Sequence, residues 1–439
     1  MQNFFRHRSP WRPIAAGALA AAVIAMAGCR KERNEPPRVE ILLPAEGHVL
    51  AVPDTLLVHA HVSDDRAVES VWFALTDDNG VPVAPAEMRT LGHAGGDVYA
   101  ALPVVAPTTP GGTFTLVVRA SDGQESRSAF RDVTVLPEPL RLRALYLVPP
   151  AGTAPATIVR IDSAGHISDF TTLADIDGGA VSSAQQYVVF AGGTTAPMTA
   201  YATQGAGGWQ AGNQNGTGAP YFLGLRHDPA DGRFYVGTND GFVRGYLPHG
   251  QQVFTAHLGE YFRSYRTAVV GGHLVSAQDH IGQPQDRLAH LAMPSGAALG
   301  AFPLDVHAVH LDARGTDHVL VFGERDGQGV VQERHVELGG VYEMRVFNEG
   351  PVRAVQRLGT DAWAVALPGR IVRFTYSTNG IAVLLDGPTA DALAYEAATG
   401  TLYAATGAQL LRIDPNTGAL LGTMSVPGPV GTILPLLNR

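Results

Sequence analysis

The sequence is nearly free of cysteine and lysine, and it is poor in charge. Cys29 is the single cysteine and Lys31 the single lysine among 439 residues, of which 16% are charged. One cysteine excludes an internal disulfide and a cysteine-rich metal site. The 40 acidic residues outnumber the 31 basic ones, which gives a net charge of −9. Such a chain lacks the basic surface that general nucleic-acid binding needs, so we expect no nucleic-acid partner.

Catalytic signatures are also missing. The sequence contains no GxSxG nucleophile motif, no HExxH zinc motif and no Walker phosphate-binding loop. The Trp-Asp dipeptide of WD40 repeats is absent, and so is the Ser-x-Asp-x-Gly-x-Thr-Trp box of sialidases. No catalytic residue is predicted, and calcium is the only cofactor for which the sequence offers candidate ligands.

The abundant residues indicate a well-buried, turn-rich chain with a targeting segment. Apolar residues make up 45% of the sequence, with 51 glycines and 30 prolines, and the length is typical of two or three domains. Near the N-terminus, Arg6, Arg8 and Arg12 precede an apolar run at 14–27. That run is too short to span a bilayer as a helix. A basic region followed by a short apolar run is the pattern of a secretory signal.

The targeting segment ends at Met26-Ala27-Gly28-Cys29, which resembles the lipobox of bacterial lipoproteins, although those usually have leucine in place of Met26. The resemblance implies a signal peptide at 1–28, lipid such as palmitate on Cys29, and a tether at 29–37. It implies a membrane anchor without a spanning helix. Arg30 stands where inner-membrane lipoproteins carry aspartate, so the outer membrane is predicted, with its periplasmic and surface faces both open.

Residues 38–138 alternate strand-length apolar runs with turn residues. The runs lie at 39–43, 55–62, 68–75, 97–104, 113–120 and 129–135, which favours an antiparallel β-sandwich. The stretches PPRVEILLPAEGHVL, VHAHVSDDRAVESVWF and FTLVVRASDGQ resemble bacterial Ig-like and cadherin-like domains. In cadherin-like relatives, carboxylates at strand ends bind calcium, which makes Asp64, Asp65 and Asp122 candidate ligands. The alternative is that these residues form turns.

One pattern repeats from residue 139 to residue 439. GRFYVGTNDGFVRGYLPHGQQV at 232–253 returns as GTLYAATGAQLLRIDPNTGALLG at 400–422. Weaker copies lie about 40–46 residues apart, the period of a four-stranded propeller blade. The two phrases resemble repeats of quinoprotein-like and YVTN-type propellers. We therefore predict an all-β protein, an Ig-like sandwich followed by a β-propeller.

The two ends of the repeat region complement each other. The first copy, at 143–148, lacks a preceding strand, and a surplus strand follows the last copy at 430–437. We predict that the surplus strand completes the first blade and closes the ring, because closure removes free sheet edges. Seven copies predict seven blades, with six or eight as the alternatives.

Propellers usually bind at the face formed by the loops between second and third strands and between blades, where rigid strands hold the loops in place. On this face the candidate binding residues are Tyr261, Phe262, Arg263, Tyr265, Asp279, His280, Glu324, Arg325 and Asp326. Aromatic residues beside arginine are typical of interface anchors. The alternative is that one or two of the aromatic residues fill gaps between blades.

Two histidines, His307 and His310, lie in a predicted innermost strand of the propeller. Their spacing of three places them on opposite faces of that strand, so both cannot line the central channel. A structural role is favoured over a metal site.

These features predict a non-catalytic lipoprotein of the cell envelope that binds a protein partner or a glycan through its propeller loops. The alternative is a propeller enzyme, a lyase or a quinoprotein-type dehydrogenase with a degenerate motif. A cluster of titratable groups at the channel mouth would favour the enzyme, whereas an aromatic rim without one would favour binding. The sequence does not predict an oligomeric state.

Overall fold

The computed structural model describes residues 34–204, 207–214, 216, 218–259 and 261–439. The chain divides into two compact units, Met1–Glu138 and Pro139–Arg439. The regular elements are β-strands, which confirms the all-β prediction. Among the residues described, no helix has the length and apolarity needed to cross a membrane. The predicted signal peptide at 1–28 and the predicted lipidation site, Cys29, lie outside the described residues.

Six strands form the first unit. They are β1 (Arg38–Leu43), β2 (His48–Ala51), β3 (Asp54–Thr76), β4 (Glu87–Val104), β5 (Gly112–Ser121) and β6 (Ser126–Leu136). The first half of β3 pairs with β1 and the second half pairs with β5, while β4 pairs with both halves. Alternate residues of β3 point into one apolar core, as in Leu56, Val58, Ala60 and Val62, because successive side chains of a strand face opposite sides.

Two expectations for the first unit were wrong. The strands predicted at 55–62 and 68–75 are a single strand, since the chain between Ser63 and Val68 bulges against β4 without turning back. The pairing is not wholly antiparallel either, because β2 runs parallel to β6. Polar residues within a long strand read as a turn in the sequence, although here they only bend the strand.

The second unit consists, in the described residues, of seven four-stranded sheets. From the first to the fourth strand, the sheets are β34 (Thr432–Leu437), β7 (Leu142–Val148), β8 (Ala156–Asp162) and β9 (Ile167–Leu173); β10 (Gly178–Ser182), β11 (Tyr187–Ala191), β12 (Met198–Ala202) and β13 (Gly208–Ala211); β14 (Phe222–Asp228), β15 (Arg233–Thr238), β16 (Phe242–Tyr246) and β17 (Gln252–His257); β18 (Phe262–Val270), β19 (His273–His280), β20 (Asp286–Ala292) and β21 (Ala298–Leu304); β22 (His307–Arg314), β23 (His318–Arg325), β24 (Gln328–His335) and β25 (Val341–Phe347); β26 (Ala354–Arg357), β27 (Ala362–Leu367), β28 (Arg370–Thr375) and β29 (Gly380–Asp386); and β30 (Ala392–Glu396), β31 (Thr401–Thr406), β32 (Gln409–Ile413) and β33 (Leu420–Ser425).

The first strands of these sheets form a closed ring. β34 contacts β10, and contacts continue from β10 to β14, β18, β22, β26 and β30, which in turn contacts β34. Within each sheet the neighbouring strands are antiparallel. Antiparallel four-stranded sheets arranged around a central channel define a β-propeller, so the predicted propeller fold is confirmed.

The first strand of one sheet comes from the C-terminus of the chain. β34 pairs with β7, placing Thr432 opposite Val148 and Leu436 opposite Ala144. The Leu436 side chain is 1% exposed. The surplus strand predicted at 430–437 therefore lies in the same sheet as β7, β8 and β9.

Candidate functional site

Most of the predicted binding residues lie at the same end of two neighbouring sheets. In the sheet β18–β21, Phe262 lies opposite His280 and Arg263 lies opposite Asp279. In the sheet β22–β25, Glu324 lies opposite His307. We call the end of these two sheets, formed by 261–265, 279–286, 305–307 and 324–326, the rim.

Tyr261 is the exposed aromatic residue of the rim. Its ring stacks on the His280 ring with the centroids 5.8 Å apart, and 63% of the residue is exposed. Its backbone φ is +71°, a conformation that is an outlier for a bulky residue. Such strain is found at functional sites, where the surrounding structure enforces it. Here the amide of Ile281 donates to the Tyr261 carbonyl at 2.6 Å and holds this conformation in place.

Two arginines stiffen the rim behind Tyr261. The Arg287 guanidinium lies 3.4 Å from the centroid of the Phe262 ring, a cation–π contact. Arg263 donates to both carboxylate oxygens of Asp279, from Nε at 3.0 Å to Oδ1 and from Nη2 at 2.8 Å to Oδ2. This hydrogen-bonded carboxylate raises the pKa of Arg263. The geometry is the two-point fork that makes arginine–carboxylate pairs strong.

The prediction that 260–265 forms a loop was wrong, because residues from Phe262 onward belong to strand β18. Tyr265 is only 9% exposed. Its hydroxyl donates to Asp286 Oδ2 at 2.8 Å and accepts the amide of Ala308 at 3.1 Å. Tyr265 therefore fills the gap between two sheets, which was the alternative interpretation for one or two of these aromatic residues.

Asp286 and His307 belong to the same junction, and no sequence motif marked them as a pair. His307 Nδ1 lies 2.9 Å from Asp286 Oδ2, and its ring stacks on Tyr265 with the centroids 4.6 Å apart. The hydrogen bond to Asp286 raises the pKa of His307. The residues are 21 positions apart, so sequence proximity gives no hint that they meet.

The remaining predicted residues lie on the neighbouring sheet. Arg325 bridges two acidic residues, with Nη1 at 2.8 Å from Asp305 and Nη2 at 2.5 Å from Glu343. Glu324 is exposed, and Asp326 forms the turn between β23 and β24 with a φ of +53°. The structure therefore brings all the predicted rim residues onto one surface, with Tyr265 buried beneath it.

The two predicted histidines have separate surroundings, as their spacing implied. His307 lies at the rim, whereas His310 lines the central channel. Several charged side chains share the channel with His310, and sequence reasoning missed them. They are Asp177, Arg226, Asp228, Arg266, Asp312 and Arg357. All lie in or beside the first strands of their sheets, so a charge within an otherwise apolar first strand is the signal that could have found them.

In the first unit, the three calcium candidates interact with one another. The Asp122 carboxylate and a hydrogen bond from Asp65 add to burial in raising the pKa of Asp64. Asp122 itself accepts the backbone amides of Gln124 and Glu125 at 2.7 and 2.6 Å, as expected of a turn former. No group of three or more His, Cys, Asp or Glu residues in the described part of the chain is arranged to hold a metal ion. Calcium binding stays a prediction.

Comparison with known proteins gives distant structural similarity. No family model matches the sequence, and no curated protein matches it. One similar solved structure is the crystal structure of a nidogen/laminin complex, with 11% identity, a TM-score of 0.44, and coverage of 67% of this chain and 99% of that chain. Another is the structure of U3-55K, with 12% identity, a TM-score of 0.45, and coverage of 59% and 84%. The propeller assignment rests on the strand pairing and the closed ring of first strands.

Proposed function

We propose that this protein is a lipid-anchored protein of the bacterial outer membrane that binds a protein partner through the rim of a seven-bladed propeller. The lipobox-like sequence ending at Cys29 supports the anchor. The resemblance of 38–138 to Ig-like domains supports a role for the first unit as a spacer between the anchor and the propeller. The binding role is carried by one observation, the exposed and strained Tyr261 on its supporting His280.

The rim has the composition of an interface anchor. An exposed aromatic ring held in one orientation loses little conformational entropy when it is buried by a partner. Tyrosine and arginine are enriched among the residues that dominate binding energy. Tyr261 stands in front of Phe262 and Arg263, whose positions are fixed by Arg287 and Asp279.

A protein partner is favoured over a glycan. Sugar recognition needs side-chain donors and acceptors that are free to bind hydroxyl groups. At this rim, Arg263 and Asp279 bind each other, and Arg325 is shared between Asp305 and Glu343. The exposed aromatic surface is then the main binding element, and it suits an apolar side chain of a protein.

The rim is tested by capture of partners from native envelopes with the acylated protein and its Tyr261→Ala variant. We expect the wild type to retain a specific protein that Tyr261→Ala loses. Tyr342→Ala is the matched control, because Tyr342 is also 63% exposed but lies on the outer strand β25. Equal capture by all three proteins would contradict the proposal. Loss of the captured material after glycosidase treatment, but not after protease treatment, would indicate a glycan instead.

The anchor is tested separately with Cys29→Ser. Serine has no thiol for lipid attachment, so we expect the variant to leave the membrane fraction and appear in the soluble fraction. Replacing Ser9 by alanine, a change in the signal region that spares Cys29, serves as the control. Membrane retention of Cys29→Ser would refute the lipoprotein proposal, and protease treatment of whole cells would show which face of the membrane carries the chain.

The alternative function is a propeller enzyme, a lyase or a quinoprotein-type dehydrogenase. The titratable side chains around His310 in the channel are the observation that favours it. A metal or quinone that copurifies with the protein would support this alternative.

A further inference from the structure

The propeller channel contains a cavity of about 750 Å³. Six of the seven first strands line it, together with Ala151 from the turn after β7. At Gly178 no atom lies within 4 Å of the position that a Cβ would occupy, so the missing side chain leaves open space. A volume of this size is within the range of small-molecule sites.

Arg266 is the central positive charge of the cavity. Its Nε donates to the carbonyl of Val309 at 2.7 Å, and its Nη1 donates to the carbonyl of Tyr265 at 2.7 Å. These bonds orient the guanidinium but do not neutralise it, because both acceptors are uncharged. Arg266 makes no ion pair with a carboxylate among the described residues, and Asp177 is the carboxylate that acts on it across the cavity.

Arg226 is held in the same way. Its Nη1 donates to the backbone carbonyls of Leu311 at 2.5 Å and Thr267 at 3.1 Å. Its other terminal nitrogen is 4.0 Å from Asp312 Oδ1. The Arg226 and Arg266 charges are thus fixed by neighbouring first strands before any ligand arrives, and such preorganisation lowers the cost of binding.

The carboxylates of the cavity are engaged elsewhere. Asp312 accepts the indole nitrogen of Trp363 at 2.6 Å and Nη1 of Arg357 at 3.4 Å. Asp228 accepts the backbone amide of Ala230 at 2.9 Å. Both therefore have partners of their own, which leaves Arg266 and Arg226 as the charges available to a ligand.

His310 supplies a polar atom that has no partner. Its Nε2 is buried and makes no hydrogen bond in the structure. Burial and the nearby Arg226 lower the pKa of His310 to about 4, so the ring is neutral near pH 7 and one of its nitrogens carries a proton. A buried polar atom without a partner is costly, and a ligand oxygen would satisfy it.

We propose that the channel cavity binds a small molecule carrying an oxyanion, a carboxylate or a phosphate, with Arg266 and Arg226 as its cationic partners and His310 as a hydrogen-bond donor. Arginine forks match the oxygen geometry of both groups. The attraction is strong because the channel is surrounded by protein, where charges are weakly screened. This site is distinct from the rim and does not depend on the proposed partner.

Asp177 makes this site sensitive to pH. Burial raises the pKa of Asp177 to about 6, although Arg266 opposes the shift. Below that pH the carboxyl group is neutral and no longer competes with an anion for Arg266. The arginines stay charged, His310 stays neutral down to about its own pKa, and Asp312 and Asp228 keep their separate partners. Affinity for an anion therefore rises as the pH falls through the pKa of Asp177.

Isothermal titration of the full chain with inorganic phosphate and with citrate tests the proposal. We expect saturable binding of at least one anion, tighter at about pH 5 than at about pH 8, on either side of the Asp177 pKa. Which of the two binds distinguishes a phosphate ligand from a carboxylate. Asp177→Asn should bind about tenfold more tightly at neutral pH and lose the pH dependence, because the amide imitates the protonated acid.

Arg266→Gln should weaken binding about tenfold or more, whereas Arg373→Gln, on the third strand β28 and away from the cavity, should not change it. Tyr261→Ala should also leave anion binding intact, which separates this site from the rim. A gain in affinity by Asp177→Asn cannot result from misfolding. No saturable binding of either anion to the wild type and to Asp177→Asn would overturn the proposal, as would equal losses in Arg266→Gln and Arg373→Gln.

Discussion

The indole nitrogen of Trp363 donates a hydrogen bond of 2.6 Å to Asp312 Oδ2 across the junction between two propeller sheets. Trp363 is on β27 and Asp312 is on the first strand of the preceding sheet. Trp363 is fully buried and Asp312 is 5% exposed. The Trp363 ring also packs against Phe322 and Phe374. One side chain thus joins an apolar core to a charged residue of the channel wall.

Trp363→Phe should destabilise the propeller by about 2–4 kcal/mol. The smaller ring leaves a cavity, and the Asp312 carboxylate loses its buried donor. Asp312→Asn should cost less, since its amide oxygen still accepts the indole hydrogen. Urea unfolding followed by circular dichroism measures both free energies. Equal stability of Trp363→Phe and the wild type would show that this bond does not hold the two sheets together.

The fold was largely readable from the sequence because propeller strands are short and separated by turns. LYAATGAQLLRIDPNTGALLG, for example, contains β31, β32 and the start of β33, with glycine at the turns. The first unit was harder. Ser63 and Asp65 suggest a break between strands, but pairing with β4 carries β3 straight through them. Tertiary pairing outweighs local turn preference there.

The rim and the channel differed in how well the sequence revealed them. Tyr261, Arg263 and Asp279 form a dense local pattern, because pairing of β18 with β19 brings neighbouring segments together. Arg226, Arg266 and Asp312 lie on separate first strands, and only the closed ring unites them. No local pattern encodes a channel wall, since its residues are a whole repeat apart in the chain.

Asp175 provides a test of how a buried carboxylate fixes the propeller's loops. It is 1% exposed and accepts the backbone amides of Gly193, Thr194, Thr195 and Ala196 at 2.6–3.0 Å. Burial by itself would raise the pKa of Asp175, but these hydrogen bonds and those from the threonine hydroxyls outweigh it and hold the pKa well below its usual range. The ionised form therefore stabilises the connection before β10 against the turn after β11.

Asp175→Asn should lower the unfolding free energy by about 2–3 kcal/mol at neutral pH, because an amide nitrogen cannot accept these hydrogens. The folded-state pKa is depressed, so the stabilisation is present above the ordinary pKa of about 3.9 and is lost as the pH falls below it. The difference between wild type and Asp175→Asn should shrink between neutral pH and about pH 3. Asp162→Asn, at a more exposed turn, should show a smaller loss; a difference that does not change with pH would contradict this account.

Deleting 430–439 should destabilise the propeller severely, because it removes the first strand of a complete sheet. Ile433, Leu434 and Leu436 are each less than 10% exposed, and burial contributes about 1.5–3 kcal/mol per side chain. The deletion also exposes the edge of β7, which would then be free to pair with other chains. We expect a lower thermal midpoint and aggregation.

A synthetic peptide of residues 430–439, added to the truncated chain, should restore the thermal midpoint in a concentration-dependent way, because binding to the folded form shifts the unfolding equilibrium. The same peptide with Leu434 and Leu436 replaced by aspartate is the control, since it keeps the backbone but cannot enter the core. A truncated chain that melts like the full chain would show that the ring does not need β34. Rescue by the aspartate peptide would show that strand pairing alone, without side-chain burial, closes it.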